Sequence, residues 1–353
     1  MRWKMECRDK KSSRSSHHGQ GPQHDEMRHR TCLLLLSEGK LEKLSELLAP
    51  ATPHDGVCYI RPCEDDDSSA CDVVVHKGAY DSVVQTTDPA AAWRWHQLQQ
   101  LASRPVLLEP LECVVRFADR LDLCRALDQL APVVYQPRFA KLDGGDADEL
   151  CACAAAAGLE YPLVCKPIVA CGPRGHQLAV VMRPEGLREL LDRHVEVLRP
   201  PFLAQEFVPH GGVVLKGYRV GDLVHTRLKP SLPAFEATAH GPAVVYFDSQ
   251  QPLDTVLRTG AVQAGASAAT GQCPAPAEAS RVAPAQRAMG AMLEAVASHM
   301  GVELLGIDVL VAPDGRCLVI DANHMSGTPH SVPGFTGALN RLIRRRAEAT
   351  LAK

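Results

Sequence analysis

No stretch of 18 apolar residues occurs in this sequence, so it offers no membrane-spanning helix. Residues 1–6 lack the apolar core of a secretory signal. No CxxC pair exists, and the closest cysteines, Cys151 and Cys153, do not suit a structural zinc site. The phosphate-loop pattern G-x-x-x-x-G-K-[ST] is missing too. Charge of neither sign dominates: 38 Lys+Arg stand against 41 Asp+Glu, a formal −3 that gives no footing for a general nucleic-acid binder. What is present is a globular composition, 46% hydrophobic and 22% charged, enough for a sizeable core. The length of 353 residues suits about two domains. The 13 cysteines, an odd number in a long chain, read as reduced thiols in a reducing compartment.

Residues 1–30 hold eight Lys/Arg, four Asp/Glu and almost no aliphatics, and read as a disordered tail of net charge +4. Glu6, Asp9, Asp25 and Glu26 argue against a transit peptide. Order is expected from an apolar strand at 31–36, followed by a helix over 41–48 with Ser37 as N-cap. A strand at 72–77, a helix at 93–102 and a strand at 105–108 complete an open α/β layer. Residues 111–130 are helical in pattern, with a break near Asp119. Beyond them, strands are expected at 133–135, 161–167, 177–182, 202–208, 213–220 and 223–228, with helices at 146–157 and 184–197. That order indicates a mostly antiparallel sheet flanked by helices. Residues 260–285, with ten Ala, three Gly and three Pro, read as a flexible insertion. Met289, Met292, Leu293, Val296 and Met300 then recur at helical spacing, a core stripe.

The last apolar pair, 302–311 and 316–321, turns at Pro313, Asp314 and Gly315. The simplest register sets Asp308 opposite Asp321, with Asn323 on the same face. Opposed carboxylates are destabilising unless a cation sits between them, and an all-oxygen set favours a hard ion such as Mg²⁺. A second feature is the 166–176 loop. Lys166 ends an apolar strand, Gly172 and Gly175 follow, and the chain returns at His176, so backbone N–H groups and a lysine can meet phosphates. A third is the strand ending in Gln205, Glu206, Phe207 and Val208, followed by a break, which suits a hinge that reads an adenine edge. Basic residues at strand and loop ends, Lys40, Lys77, His176, Lys216, Arg227 and Lys229, could form an anion pocket with the metal site.

Leu36-Ser37-Glu38-Gly39-Lys40, His76-Lys77, Ala118-Asp119-Arg120, the 166–176 loop, Gln205-Glu206-Phe207 through Lys216, and Gly306-Ile307-Asp308 with Val319-Ile320-Asp321-Ala322-Asn323 recur in a known order and spacing. Over 31–343 they resemble the inositol 1,3,4-trisphosphate 5/6-kinase family, also called inositol-tetrakisphosphate 1-kinase. The resemblance implies an α/β ATP-grasp fold. A Rossmann-like inositol-phosphate layer would occupy 31–115, after the tail. Two antiparallel-sheet-plus-helix subdomains, 116–210 and 211–353, would enclose ATP. It implies an ATP-dependent kinase acting on inositol tris- and tetrakisphosphates. Arg120, Lys166, Gln205, Glu206, Phe207, Val208, Lys216, Ser231 and Ser249 look like ATP contacts. Lys40, Lys77, His176, Lys216, Asn323 and Gly327 look like acceptor contacts. Asp308, Asp321 and Asn323 look like ligands of two Mg²⁺ ions and, with Lys166, like the catalytic set. Cys171, Lys229 and Gly39 depart from the family's usual His or Asp, Arg and Lys. A monomer in the cytoplasm is expected, with nucleus or organelle left open and no nucleic-acid or membrane partner. An ATP-grasp carboxylate–amine ligase and an inactive inositol phosphate-binding module are the alternatives.

Overall fold

Residues 32–36 carry no charged side chain, and such a run suits a strand covered on both faces. In the computed structural model, residues 30–45, 58–62, 71–104, 106–172, 174–192, 198–233, 235, 241–251 and 276–351 are described. The expected tail, save Arg30, lies outside them. A parallel sheet of order β2-β1-β3 is formed by β1 (Arg30–Leu35), β2 (Cys58–Pro62) and β3 (Val73–His76). The first helix, α1 (Glu38–Lys43), starts after Ser37, whose side chain makes no cap hydrogen bond. Next come α2 (Gly78–Val84) and α3 (Pro89–Leu101). The latter begins four residues earlier than its apolar pattern suggests. Asp88 caps it, accepting from the N–H groups of Ala90 and Ala91, and Pro89 fits the first turn. Leu33, Leu35 and Val74 pack on Leu98 and Leu101 of α3. Of the strand expected at 105–108, the described residues 106–108 contribute a bridge from Leu107 to Val74.

The expected break at Asp119 is present. A short helix α4 (Leu111–Val115) and a 3₁₀ turn (Arg116–Ala118) precede α5 (Arg120–Asp128), which Asp119 caps. The strand expected at 133–135 is not formed. Val133 and Tyr135 are 49% and 50% exposed, between Pro132 and Pro137, which have no N–H for a ladder. The strand comes later, as β4 (Phe139–Leu142). It joins β5 (Leu163–Pro167), β6 (Gln177–Val181), β7 (Phe202–Glu206) and β10 (Val244–Asp248) in an antiparallel sheet of order β10-β6-β5-β7-β4. Helices α6 (Ala147–Ala156) and α7 (Glu185–Asp192) cover one face. Strand β10 crosses the expected boundary at 210. It returns from the C-terminal half to pair with β6, a long-range choice that local patterning does not carry.

The third sheet, order β12-β11-β8-β9, contains β8 (Val213–Val220), β9 (Leu223–Pro230), β11 (Leu304–Val311) and β12 (Cys317–His324). Its lower face rests on α8 (Pro276–Met300), with Met289, Met292, Leu293, Val296 and Met300 all buried, as the stripe implies. A side chain at Gly217 would collide with Met289, so glycine here lets the helix sit flush on β8. The expected flexible insertion at 260–285 is corrected in part. From Pro276 the chain is helical, and Val282 and Ala285 are buried in the core; alanine, frequent in linkers, is also the strongest helix former. The part before Pro276 lies outside the described residues. Finally α9 (Phe335–Leu351) packs Phe335, Leu339 and Ile343 on Leu34, Val73 and Val75 of the first sheet.

Candidate active site

Two strands bring the acids together. Asp308 on β11 faces Asp321 on β12, the register expected from the hairpin. Beyond that pair the register shifts by one, because Ile320 has no partner and forms a bulge. The bulge has a use: the Ile320 carbonyl accepts from Lys166 Nζ at 3.1 Å. The same ammonium donates to Gln205 Oε1 at 2.7 Å. Asn323 Nδ2 donates to Asp321 Oδ2 at 2.7 Å, which leaves its amide oxygen free to face a cation. Lys216 Nζ lies 2.8 and 3.1 Å from the two Asp308 oxygens. Burial, with Asp321 beside it, pushes the Asp308 carboxyl up, against the pull of Lys216. Burial also pushes the Lys166 ammonium below its usual range, although Asp321 opposes this.

Arg120, expected as a nucleotide contact, holds the loop that follows Lys166. It donates to the carbonyls of Pro167 (2.8 Å), Val169 (3.3 Å) and Gly175 (2.6 Å), and so closes the 166–176 loop from beneath. The backbone adds Arg120 N to Ile168 O and Ala170 N to Ala118 O, both 2.8 Å. Gly172, at φ 84°, turns the loop against Val84 of α2. Lys77 follows β3 and comes near this loop. Its charge pulls down the Cys171 thiol, which burial pushes up, and adds to the burial and the Arg120 charge that lower His176. Lys40 donates to the carbonyls of Met325 (3.1 Å) and Gly327 (3.0 Å). Burial, then Lys77 and Lys43, bring its pKa down to about 7. Thus Lys77 lies within charge range of both Lys40 and His176, and His176 in turn feels Asp321.

At the hinge, Glu206 turns its side chain to the protein. Its carboxylate accepts from Glu160 N (3.1 Å) and pairs with Arg138 (2.8 Å), and its N–H goes to Arg138 O, so its side chain is committed to the protein. Phe207 N donates to Pro162 O, and its ring packs edge-on to Phe235. Sequence reasoning missed His210. Its Nδ1–H donates to Val208 O (2.8 Å), so Nε2 accepts from Ser231 Oγ (3.0 Å), tying the hinge to the end of β9. Ser249 donates its N–H to His176 O. Ser231 and Gly327 thus lie at opposite ends of the third sheet. A cavity of about 400 Å³ opens beside the hinge, between Glu160, Phe207, Val208, Pro313 and Arg316; neither Asp308 nor Asp321 lines it.

A buried network behind the site was also not legible. Glu109 accepts from the N–H groups of Glu303 and Leu304 and from His324 Nε2. His76 Nδ1 accepts from Gly78 N, so its Nε2–H donates to Glu109 O at 2.9 Å. Burial and the neighbouring His324 bring His76 down to about 4, keeping it neutral. One acid thereby ties the residue before Lys77 to the residue after Asn323.

The sequence profile described as the inositol 1,3,4-trisphosphate 5/6-kinase ATP-grasp domain matches residues 132–344. An inositol-tetrakisphosphate 1-kinase of Xenopus laevis is 25% identical over 328 residues, 87% of this chain and 76% of that protein. Inositol-tetrakisphosphate 1-kinase 4 of Oryza sativa subsp. indica is 36% identical over 169 residues, 46% of this chain and 42% of that protein. Inositol-tetrakisphosphate 1-kinase 1 of Zea mays is 28% identical over 258 residues, 70% of each. The profile match takes in more than half of the chain, including the Lys166 loop and the Asp308–Asp321 hairpin, and so this chain belongs to the inositol 1,3,4-trisphosphate 5/6-kinase ATP-grasp family.

Proposed function

We propose that this chain is an ATP-dependent inositol polyphosphate kinase that moves the γ-phosphoryl of ATP to a hydroxyl of an inositol tris- or tetrakisphosphate. One observation carries the reading. Lys40, Lys77 and His176 form a basic set in which Lys77 acts on both of the others, and His176 also feels Asp321, one of an opposed carboxylate pair that Lys216 contacts through Asp308. A polyanionic acceptor needs such a basic set; a carboxylate–amine ligase does not.

The donor set fits magnesium: two opposed carboxylates and an amide oxygen on adjacent strands, with oxygen ligands only. Asp308, Asp321 and Asn323 would hold it, two ions being the family's expectation. When bound, magnesium supplies charge neutralisation at the phosphate oxygens. The chain's own groups do the rest. Lys166, fixed by Gln205 and the Ile320 carbonyl, offers a positioned charge to the nucleotide phosphates. Arg120 keeps the loop closed and leaves loop N–H groups for the same phosphates. Lys40, Lys77 and His176 hold acceptor phosphates and reduce the repulsion between two polyanions. No general base is assigned, because loose phosphoryl transfer asks mainly for positioning and electrostatics. The near-neutral charge balance supports the absence of a nucleic-acid partner, and a monomer in the cytoplasm is the family's expectation. Among the described residues no helix is long and apolar enough to cross a membrane. Incubation with Mg-ATP and a panel of inositol phosphates tests the reading. ADP should form one for one with a more phosphorylated inositol. Background turnover across tris- to hexakisphosphates, or turnover that needs an amine, would overturn it.

A further inference from the structure

The strand registers set four charges in one line across the upper face of the third sheet. Asp321 on β12 faces Asp308 on β11, Asp308 faces Lys216 on β8, and Lys216 faces Arg227 on β9. Residues directly opposite share a face, so the row runs acid, acid, base, base over about 14 Å, three strand spacings. The neighbouring row confirms the side: Tyr218 faces His225, and their rings stack at 6.3 Å. The other face is closed by α8, which buries Leu215, Ile307 and Val309.

Each half of the row opposes like charges, an arrangement that disfavours the empty sheet. Asp308 answers Lys216. Arg227 is exposed and has no hydrogen bond or ion pair among the described residues. Its register opposite Lys216 puts it on the site's side of the sheet, and its charge reaches the Tyr218 phenol on the same face. Lys229, opposite Val214 one row along, acts on the Asp308 carboxyl from the same side. Two adjacent cations beside a carboxylate pair call for an anion of more than one charge, and a guanidinium can take a phosphate through two parallel N–H groups.

We infer that Arg227 is a further phosphate-binding residue of this site. It takes, beside Lys216, a phosphate of the bound polyanion and thereby sets which polyanion is held most tightly. The inference rests on the kinase reading for its substrates. The phosphate could belong to the acceptor or to the nucleotide, since the row lies midway between the Gly327 end and the Ser231 end of the sheet.

Calorimetry on the full chain at low ionic strength tests it. Inositol hexakisphosphate and Mg-ATP serve as separate probes, with Arg227→Gln, Arg227→Lys and a surface control, Arg188→Gln on α7. Thermal melts check folding, and Arg227 is exposed enough for its variants to fold. Arg227→Gln should raise Kd about tenfold for one probe, the effect of losing one charge-assisted pair. Arg227→Lys should recover only part, because the fork geometry is lost. The probe that moves identifies the phosphate's source. Changes within about twofold for both probes, or equal losses in Arg188→Gln, would overturn the assignment and leave only bulk charge. Turnover is followed in parallel. A wild-type chain that binds inositol hexakisphosphate through Arg227 but phosphorylates no inositol phosphate sinks the kinase reading and keeps the site. A wild-type chain that binds neither probe overturns both.

Discussion

Lys40 is the residue whose ionisation has the most direct consequence. Its ammonium is brought to about 7 by burial and by Lys77 and Lys43, so near neutral pH it is half-protonated in the free protein. A bound polyanion requires the charged form. Acceptor affinity should therefore fall as pH rises through 7, by up to about tenfold between pH 6 and 8, because binding must take up a proton. Lys40→Arg stays charged throughout, and its acceptor affinity should be flat over that range apart from the ligand's own titration. Parallel pH profiles of the two proteins decide the matter; identical slopes would rule out Lys40 as the titrating group. At Asp321 the expectation is chemical. Asp321→Ala should fold normally and lose at least about 10²-fold in kcat/KM, the loss typical of one charge-stabilising group. Near-normal turnover in a folded variant would remove the metal assignment. Strand parity made Asp321 and Asn323 readable as one face, while their opposition to Asp308 depends on the Ile320 bulge, which offsets a turn one residue out of the simplest register. Arg120 was not, since its partners are loop carbonyls whose direction no side-chain pattern encodes.

At the scale of elements, helices with caps and stripes were readable and short connections were not. The expected break near Asp119 and the expected helix start at 146 coincide with the capped N-termini of α5 and α6. The 133–135 segment has strand composition but sits between prolines, and only long-range pairing shows that the sheet position goes to β4. The alanine-rich start of α8 misled for a related reason: composition cannot say whether alanine is used for freedom or for helix. Its role is measurable. Val282 is 2% exposed in the core, so Val282→Ala should cost about 2 kcal/mol of stability, seen as a lower denaturant midpoint with unchanged slope. No loss would return this stretch to the status of a linker.

Across the whole molecule, Glu109 joins parts of the chain that lie 215 residues apart, at His324, which is why no local reading could reveal it. Burial pushes its carboxyl up, but His324 and the N–H groups of Leu304 and Glu303 outweigh this and hold it below the usual range. A depressed folded-state value means the carboxylate stabilises the fold above the ordinary glutamate range, and that the gain is lost as pH falls through the folded value. Glu109→Ala should lower stability by about 3–5 kcal/mol at neutral pH, because three donors lose their acceptor in the interior. The deficit relative to wild type should shrink in acid. A constant deficit from pH 7 to 3 would contradict the ionised state.

The distribution of apolar clusters has a consequence for motion. The first sheet shares its core with the third: Leu34, Val73 and Val75 pack with Tyr218, Leu304 and α9. The second sheet keeps a core of its own, from Leu142 to Val244, with no residue of the other two sheets in it. Its links to the third sheet include a polar one, Lys166 to Ile320 O. One jaw is therefore welded and the other is latched. Opening should be a swing of the β10-β6-β5-β7-β4 body about the 206–213 stretch on the microsecond-to-millisecond scale, with the first and third sheets moving as one. Amide exchange should show nucleotide-dependent protection along the 166–176 loop and the hinge, while β1, β3 and α9 exchange together and ignore the nucleotide.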